Sequence, residues 1–123
     1  MRVYVVDDSS LVRERLVALL SEIDGIDVIG TADNAENGIA GIARERPDVA
    51  ILDIRMPSGN GISVLEAVKS SDNPPTVIML TNYPYPQYRK KCMEVGADYF
   101  FDKSSEFYRV NEVLTGLVGS QSS

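Results

Sequence analysis

Val49-Ala50-Ile51-Leu52-Asp53 is the stretch that decides the fold. Four aliphatic residues run without a polar interruption, as in a strand buried on both faces of its sheet. A carboxylate follows at once, so Asp53 stands where the strand gives way to a loop. The next residues, Met56-Pro57-Ser58-Gly59-Asn60-Gly61, are rich in turn formers and lead into a helix carrying Ile62, Val64, Leu65 and Val68.

The same alternation of a short apolar run with a longer segment of helical period recurs on either side. Upstream, residues 3–6 form a first buried strand, and Ser9 or Ser10 caps a helix that gathers Leu11, Leu16, Leu19, Leu20 and Ile23 on one side before Gly25. A second strand spans 27–32. Asn34 caps a helix through Ile39, Ile42 and Ala43 that stops before Pro47. Downstream, a fourth strand over 76–80 ends at Thr81, and a helix within 84–95 starts late because Pro84 and Pro86 fit only at or before its first turn. Gly96 terminates it. A fifth strand covers 99–102, a last helix runs from about Glu106 to Leu117, and the apolar-free tail 119–123 is expected to fray.

Five strand–helix units linked by right-handed crossovers predict an α/β fold: one doubly wound, flavodoxin-like (βα)5 sandwich with a parallel sheet in the order 2-1-3-4-5. A chain of 123 residues, 44% hydrophobic and 24% charged, suits one such domain over 1–118. Its switch point lies between strands one and three, where ligands of these folds bind outside the carboxyl ends. Asp7, Asp8 and Asp53 are thereby predicted to share one small pocket.

Composition narrows the chemistry. A net charge of −6 disfavours nucleic acid and anionic lipid, and the single basic run Arg89-Lys90-Lys91 reads as a solvated helix face. Acid at Asp7 and Asp8 comes too early for a signal peptide or a membrane span, so a cytoplasmic protein is expected. The absence of histidine removes His-based catalysis and the commonest zinc ligand. Cys92 has no disulfide partner and, between Tyr88 and Val95, reads as a buried filler.

Three acids at a switch point are costly unless they share a cation. Hard oxygen ligands alone favour magnesium, calcium or manganese over zinc or copper, and magnesium best, because it needs few carboxylates and completes its shell with water and phosphate. Thr81 and Lys103 end strands four and five and converge on the same edge. A hydroxyl and an ammonium facing three carboxylates make a receptor for a phosphoryl group.

Val5-Val6-Asp7-Asp8-Ser9, Ile51-Leu52-Asp53-Ile54-Arg55-Met56-Pro57, Gly59-Asn60-Gly61, Leu80-Thr81 and Gly96-Ala97-Asp98-Tyr99-Phe100-Phe101-Asp102-Lys103 together resemble the signature blocks of response regulator receiver domains, in order and spacing, over almost the whole chain. The resemblance implies a phosphoacceptor of a two-component phosphorelay, catalysing only its own magnesium-dependent phosphorylation and dephosphorylation. Asp53 would be the nucleophile. Asp7, Asp8, Asp53 and the backbone carbonyl of Arg55 would hold Mg2+ or Mn2+, Lys103 would neutralise a phosphoryl oxygen, and Thr81 would move inward to bond another. Phe100 would follow Thr81 as the aromatic switch.

Implied partners are a sensor histidine kinase or histidine phosphotransfer protein and a downstream protein bound through helix four, strand five and helix five, around which Tyr83, Tyr85, Tyr88 and Tyr108 cluster in sequence. A homodimer is compatible; nucleic acid and membrane are not expected to bind this domain. The alternatives are the receiver part of a DNA-binding transcription factor and a binding module that is never phosphorylated. A small-molecule phosphohydrolase would carry an acid where Arg55 stands. Four residues depart from the common pattern: Ser104 where proline usually follows the lysine, so that Lys103 is expected to sit more loosely, Asn82 in place of a small residue, Arg55 for a neutral side chain, and Phe100 for a tyrosine.

Overall fold

The computed structural model describes every residue except Pro57, Ser58, Ser122 and Ser123, with only the backbone of Gln121. The turn formers Pro57 and Ser58 and the last two residues of the expected tail lie outside the described residues. The main elements in chain order are β1 (Arg2–Val6), α1 (Ser10–Ser21), β2 (Asp27–Ala32), α2 (Ala35–Glu45), β3 (Val49–Leu52), α3 (Gly61–Lys69), β4 (Thr76–Thr81), α4 (Pro86–Val95), β5 (Tyr99–Asp102) and α5 (Tyr108–Gln121). The five strands pair in parallel in the order β2-β1-β3-β4-β5, the doubly wound arrangement that the alternation predicts. A two-residue antiparallel ladder, Arg55–Met56 with Gly59–Asn60, is added after β3.

Side chains on a strand alternate between its faces, and the core divides accordingly. Tyr4, Val6, Ala50, Leu52, Val77, Met79 and Phe100 face α2, α3 and α4, whose Ile42, Val64, Leu65, Val68 and Cys92 complete that layer. Val3, Val5, Val49, Ile51, Ile78, Leu80 and Phe101 face Leu16 and Leu20 of α1 and Val110 and Leu114 of α5. Burial on both faces is why β3 reads as an unbroken apolar run. Cys92 is fully buried, and burial pushes its thiol up to about 11, which leaves it a packing residue.

Local chemistry sets the helix ends. Ser9, Asn34 and Asn60 each accept a bond from the backbone N–H three residues on, satisfying donors the helix itself cannot use. Pro86 occupies the first turn of α4, and Gly96 closes it at φ 120°, a left-handed turn that glycine adopts without a Cβ penalty.

Two expectations need correction, and one feature of the sheet was not expected either way. Leu11 is 64% exposed, so the buried stripe of α1 is Leu16 and Leu20 with Val12 partly covered. The last helix starts at Tyr108 and continues through Gly119 and Ser120 to Gln121, because backbone bonding from a packed helix propagates through residues that bury nothing themselves. The pairing of β1 with β2 shifts register between Val3 and Tyr4, opposing Tyr4 to Gly30.

That shift seats a tyrosine in a slot made of glycines. A Cβ on Gly30 would lie 2.6 Å from Cε2 of Tyr4, and one on Gly41 would run into the Tyr4 hydroxyl. Gly41→Ala should therefore lower stability by about 1–3 kcal/mol, and adding Tyr4→Phe should recover part of that loss. Urea denaturation of both single variants and the double variant checks the coupling.

Candidate functional site

The parallel ladders run one residue past the strand ends. Asp7 N–H donates to the Ala32 carbonyl (3.0 Å), Asp53 N–H to the Val6 carbonyl (2.9 Å) and Lys103 N–H to the Thr81 carbonyl (2.7 Å). Backbone bonding thus brings Asp7, Asp53 and Lys103, from three different strand ends, to one edge of the sheet. Asp8, Asp53 and Lys103 line a cleft of about 660 Å³.

The centre of the site is an ammonium between two carboxylates. Lys103 Nζ donates to Asp7 Oδ2 at 2.7 Å and to Asp53 Oδ2 at 3.2 Å, and all three side chains are at most 7% exposed. The other Asp53 oxygen accepts from Ile54 N–H (2.8 Å), and Asp7 Oδ1 accepts from Ser9 N–H (2.9 Å). Arg13 Nη1 donates to the Asp7 carbonyl at 2.7 Å and steadies that turn from α1. Burial pushes the Asp53 carboxyl up to about 6; the positive charge of Lys103 opposes the rise and the negative charge of Asp7 adds to it.

Asp8 is exposed and has no hydrogen bond or ion pair among the described residues. Its carboxylate and those of Asp7 and Asp53 offer oxygens within 4.8 Å of one another. Hard anionic oxygens with no nitrogen or sulfur ligand among them suit a small divalent cation, and the protein already compensates part of their charge with Lys103. The residues therefore fit magnesium or manganese, with Asp8 the carboxylate free to take it.

Thr81 is fully buried, and its Oγ1 accepts from Tyr83 N–H at 2.9 Å, an engagement with its own loop. Arg55 is exposed, with its guanidinium 4.4 Å from the centre of the Tyr83 ring. The neighbouring Tyr83 and Tyr88 hydroxyls raise its pKa further. Phe100 is buried in the layer beneath α4, and the Arg89 guanidinium lies 5.5 Å from its ring centre. Both Phe100 and Phe101 face inward, on opposite faces of the sheet.

Two expectations change here. Lys103 is held by two carboxylates and by its own buried stem, so the looseness expected without a following proline is absent. The tyrosines divide: Tyr83, Tyr85 and Tyr88 form a chain of rings 6.2 and 5.5 Å apart, whereas Tyr108 stands 60% exposed at the start of α5 and makes no ring contact with them among the described residues. Tyr83 and Tyr88 also line the acidic cleft with Arg55 and Asn82. No local pattern in the sequence marks that wall, because Arg55 and the tyrosines lie in segments far apart along the chain.

Comparison with known proteins follows the same lines. The profile of the response regulator receiver domain matches residues 3–115. The chain is 35% identical over 114 residues to the sensory transduction protein LytT of Bacillus cereus, covering 93% of this chain and 46% of LytT. The chain thus spans about half the length of that relative. Among solved structures, the signal receiver domain of the response regulator NarL from Mycobacterium tuberculosis superposes with a TM-score of 0.86 at 32% identity, covering 96% of this chain and 95% of that one. CheY in the CheX–CheY–BeF3–Mg complex from Borrelia burgdorferi superposes at 0.80 and 28% identity, over 93% and 89%. No helix among the described residues is long and apolar enough to cross a membrane.

The raised Asp53 carboxyl has a measurable consequence. Its folded pKa lies above the value of 3.8 in an unfolded chain, so its contribution to stability is full below 3.8 and is lost as pH rises through about 6. In metal-free buffer, Asp53→Asn should abolish that fall and be more stable than the wild type at pH 8 by on the order of 1–3 kcal/mol. Magnesium, binding the ionised form, should shift the fall to lower pH. Urea denaturation across pH 4–8, with and without the metal, measures all three.

Proposed function

The chain belongs to the response regulator receiver domain family, and on that premise we propose that Asp53 accepts a phosphoryl group and that the change of charge remodels a protein-binding surface. Receiver domains bind magnesium in an acidic pocket, and the donors present here suit it. The observation that carries the reading is the buried ammonium of Lys103 bridging Asp53 and Asp7, with the unpartnered carboxylate of Asp8 beside them. No ordinary packing role requires three acids and a lysine at one sheet edge.

In the proposed reaction an Asp53 oxygen attacks phosphorus in line. A P–O bond forms as the bond to the donor breaks, and the leaving group, an imidazole or a carboxylate, departs with that electron pair. No base is needed, because Asp53 attacks as the anion. A magnesium ion held by Asp7, Asp8, Asp53 and the carbonyl of Arg55 would neutralise charge between these carboxylates and the phosphoryl oxygens. Lys103 then turns its ammonium toward a phosphoryl oxygen, and the Thr81 hydroxyl leaves Tyr83 N–H to donate to another.

Loss of the Thr81–Tyr83 bond loosens the loop that enters α4, and the space Thr81 vacates is open to Phe100. The reading assigns output to α4, β5 and α5, supported by the exposed Tyr85 just before α4, Met93 on it and Tyr108 at the start of α5. Donors would be a sensor histidine kinase or a histidine phosphotransfer protein. The chain acts on no substrate other than its own aspartyl group in this scheme, and a cytoplasmic setting matches such donors.

Incubation with acetyl phosphate and magnesium should add one phosphoryl mass to the wild-type chain and none to Asp53→Asn. Lys103→Ala should be phosphorylated about a hundredfold more slowly, the usual cost of removing one donor from such a site. Uptake by Asp53→Asn at the wild-type rate, followed by intact mass, would sink the assignment.

A further inference from the structure

Lys103 has to present its ammonium at one point, yet the turn that carries it has no ring to stiffen it: Ser104 and Ser105 follow directly, and both are exposed. A lysine side chain on its own gives up much rotamer freedom when held in one place. Something on the protein must define where its backbone begins.

Asp102 brackets the lysine from both sides. Its Oδ1 accepts from Ser104 N–H at 2.9 Å and from Ser104 Oγ at 2.7 Å, so the chain folds back over Lys103 within three residues. Bonds from Ser104 and Ser105 lower the Asp102 carboxyl and keep it an acceptor at neutral pH. The backbone of Asp102 is gripped as well: its N–H donates to Glu106 Oε1 at 3.1 Å, and its carbonyl accepts from Glu106 N–H at 2.7 Å. Arg109 donates to the second Glu106 oxygen at 3.0 Å and lies 5.2 Å from the centre of the Phe101 ring, anchoring the group to α5 and the sheet. With Lys103 N–H fixed on the Thr81 carbonyl, both ends of the lysine's peptide neighbourhood are tied.

We propose that Asp102, through its paired bonds to Ser104 and its exchange with Glu106, is the positioning residue that aims Lys103 at Asp7 and Asp53. Asp102 touches neither carboxylate and no reacting atom; it acts through the backbone on either side of the lysine. Phosphoryl transfer draws its rate from charges placed in advance, and small misplacements are expensive. The proposal rests on the phosphoacceptor reading for its rate effect but not for its effect on the resting site.

The test therefore has two readouts. The first is the Lys103 ammonium signal in a 1H–15N correlation spectrum of the unphosphorylated protein, which survives only while Nζ is buried and bonded. The second is the rate of phosphate uptake from acetyl phosphate, set against the magnesium concentration at half-maximal rate. Asp102→Ala should lose the signal and slow uptake by about tenfold, with the magnesium midpoint within about twofold of wild type. Asp102→Asn keeps an acceptor at the same place and should restore most of both.

An Asp102→Ala protein with the wild-type signal and rate would overturn the proposal, as would an Asp102→Asn protein no better than Asp102→Ala. A parallel loss of rate and magnesium midpoint would also overturn it, since general damage moves both. Should Asp102→Ala fail to fold, Ser104→Ala at its exposed position decides: a weakened signal and slower uptake support the proposal, and no change in either refutes it. If even the wild-type chain takes up no phosphate, the phosphoacceptor reading fails while the ammonium signal still judges the positioning.

Discussion

Asp7 and Asp53 lie almost out of reach of water with the ammonium of Lys103 between them, and the rest of the structure is arranged to make that contact. Two buried carboxylates side by side oppose each other's ionisation. One positive charge shared between them offsets the repulsion, and burial is what still leaves the Asp53 carboxyl raised to about 6. The site is left anionic, with Asp8 adding a further charge at its rim, and an incomplete balance of this kind gives a second cation something to bind.

The fold supplies this contact by backbone means. Ladder bonds continued past β1, β3 and β5 carry Asp7, Asp53 and Lys103 to a common edge, so the three side chains inherit their placement from a sheet whose central strands are buried. Helices on both faces keep that sheet rigid. Gly61 shows how tightly the next loop is wrapped: a Cβ there would strike the backbone carbonyl of Asp53. A closely packed core and a strained collection of charges meet at a boundary one residue wide.

Much of this was legible from the residues. The β3 run, the caps Ser9 and Asn34, and the glycine after α4 are local signals, and each is found where it was expected. Asp7, Asp53 and Lys103 were legible because a parallel sheet converts strand ends into neighbours. What was not legible depends on segments far apart in sequence meeting in space. The wall that Arg55 builds with Tyr83 and Tyr88 joins the segment after β3 to the loop and first turn of α4, and no periodicity announces it. A missing proline after Lys103 is visible in a sequence, whereas the two carboxylates that hold its ammonium are visible only as geometry. Leu11 and the length of α5 were misread for a simpler reason: an apolar residue need not be covered, and a polar one need not end a helix.

The ring chain Tyr83–Tyr85–Tyr88 has a practical side. The protein contains no tryptophan, and three of its six tyrosines belong to this chain. Two of them line the acidic cleft, and one of these carries a guanidinium against its ring. Half of the tyrosines that can emit in the unlabelled molecule therefore sit in the loop that separates Thr81 from α4 and in the first turn of that helix. The protein is its own optical probe, one whose signal originates where a change of charge at the sheet edge would first be felt.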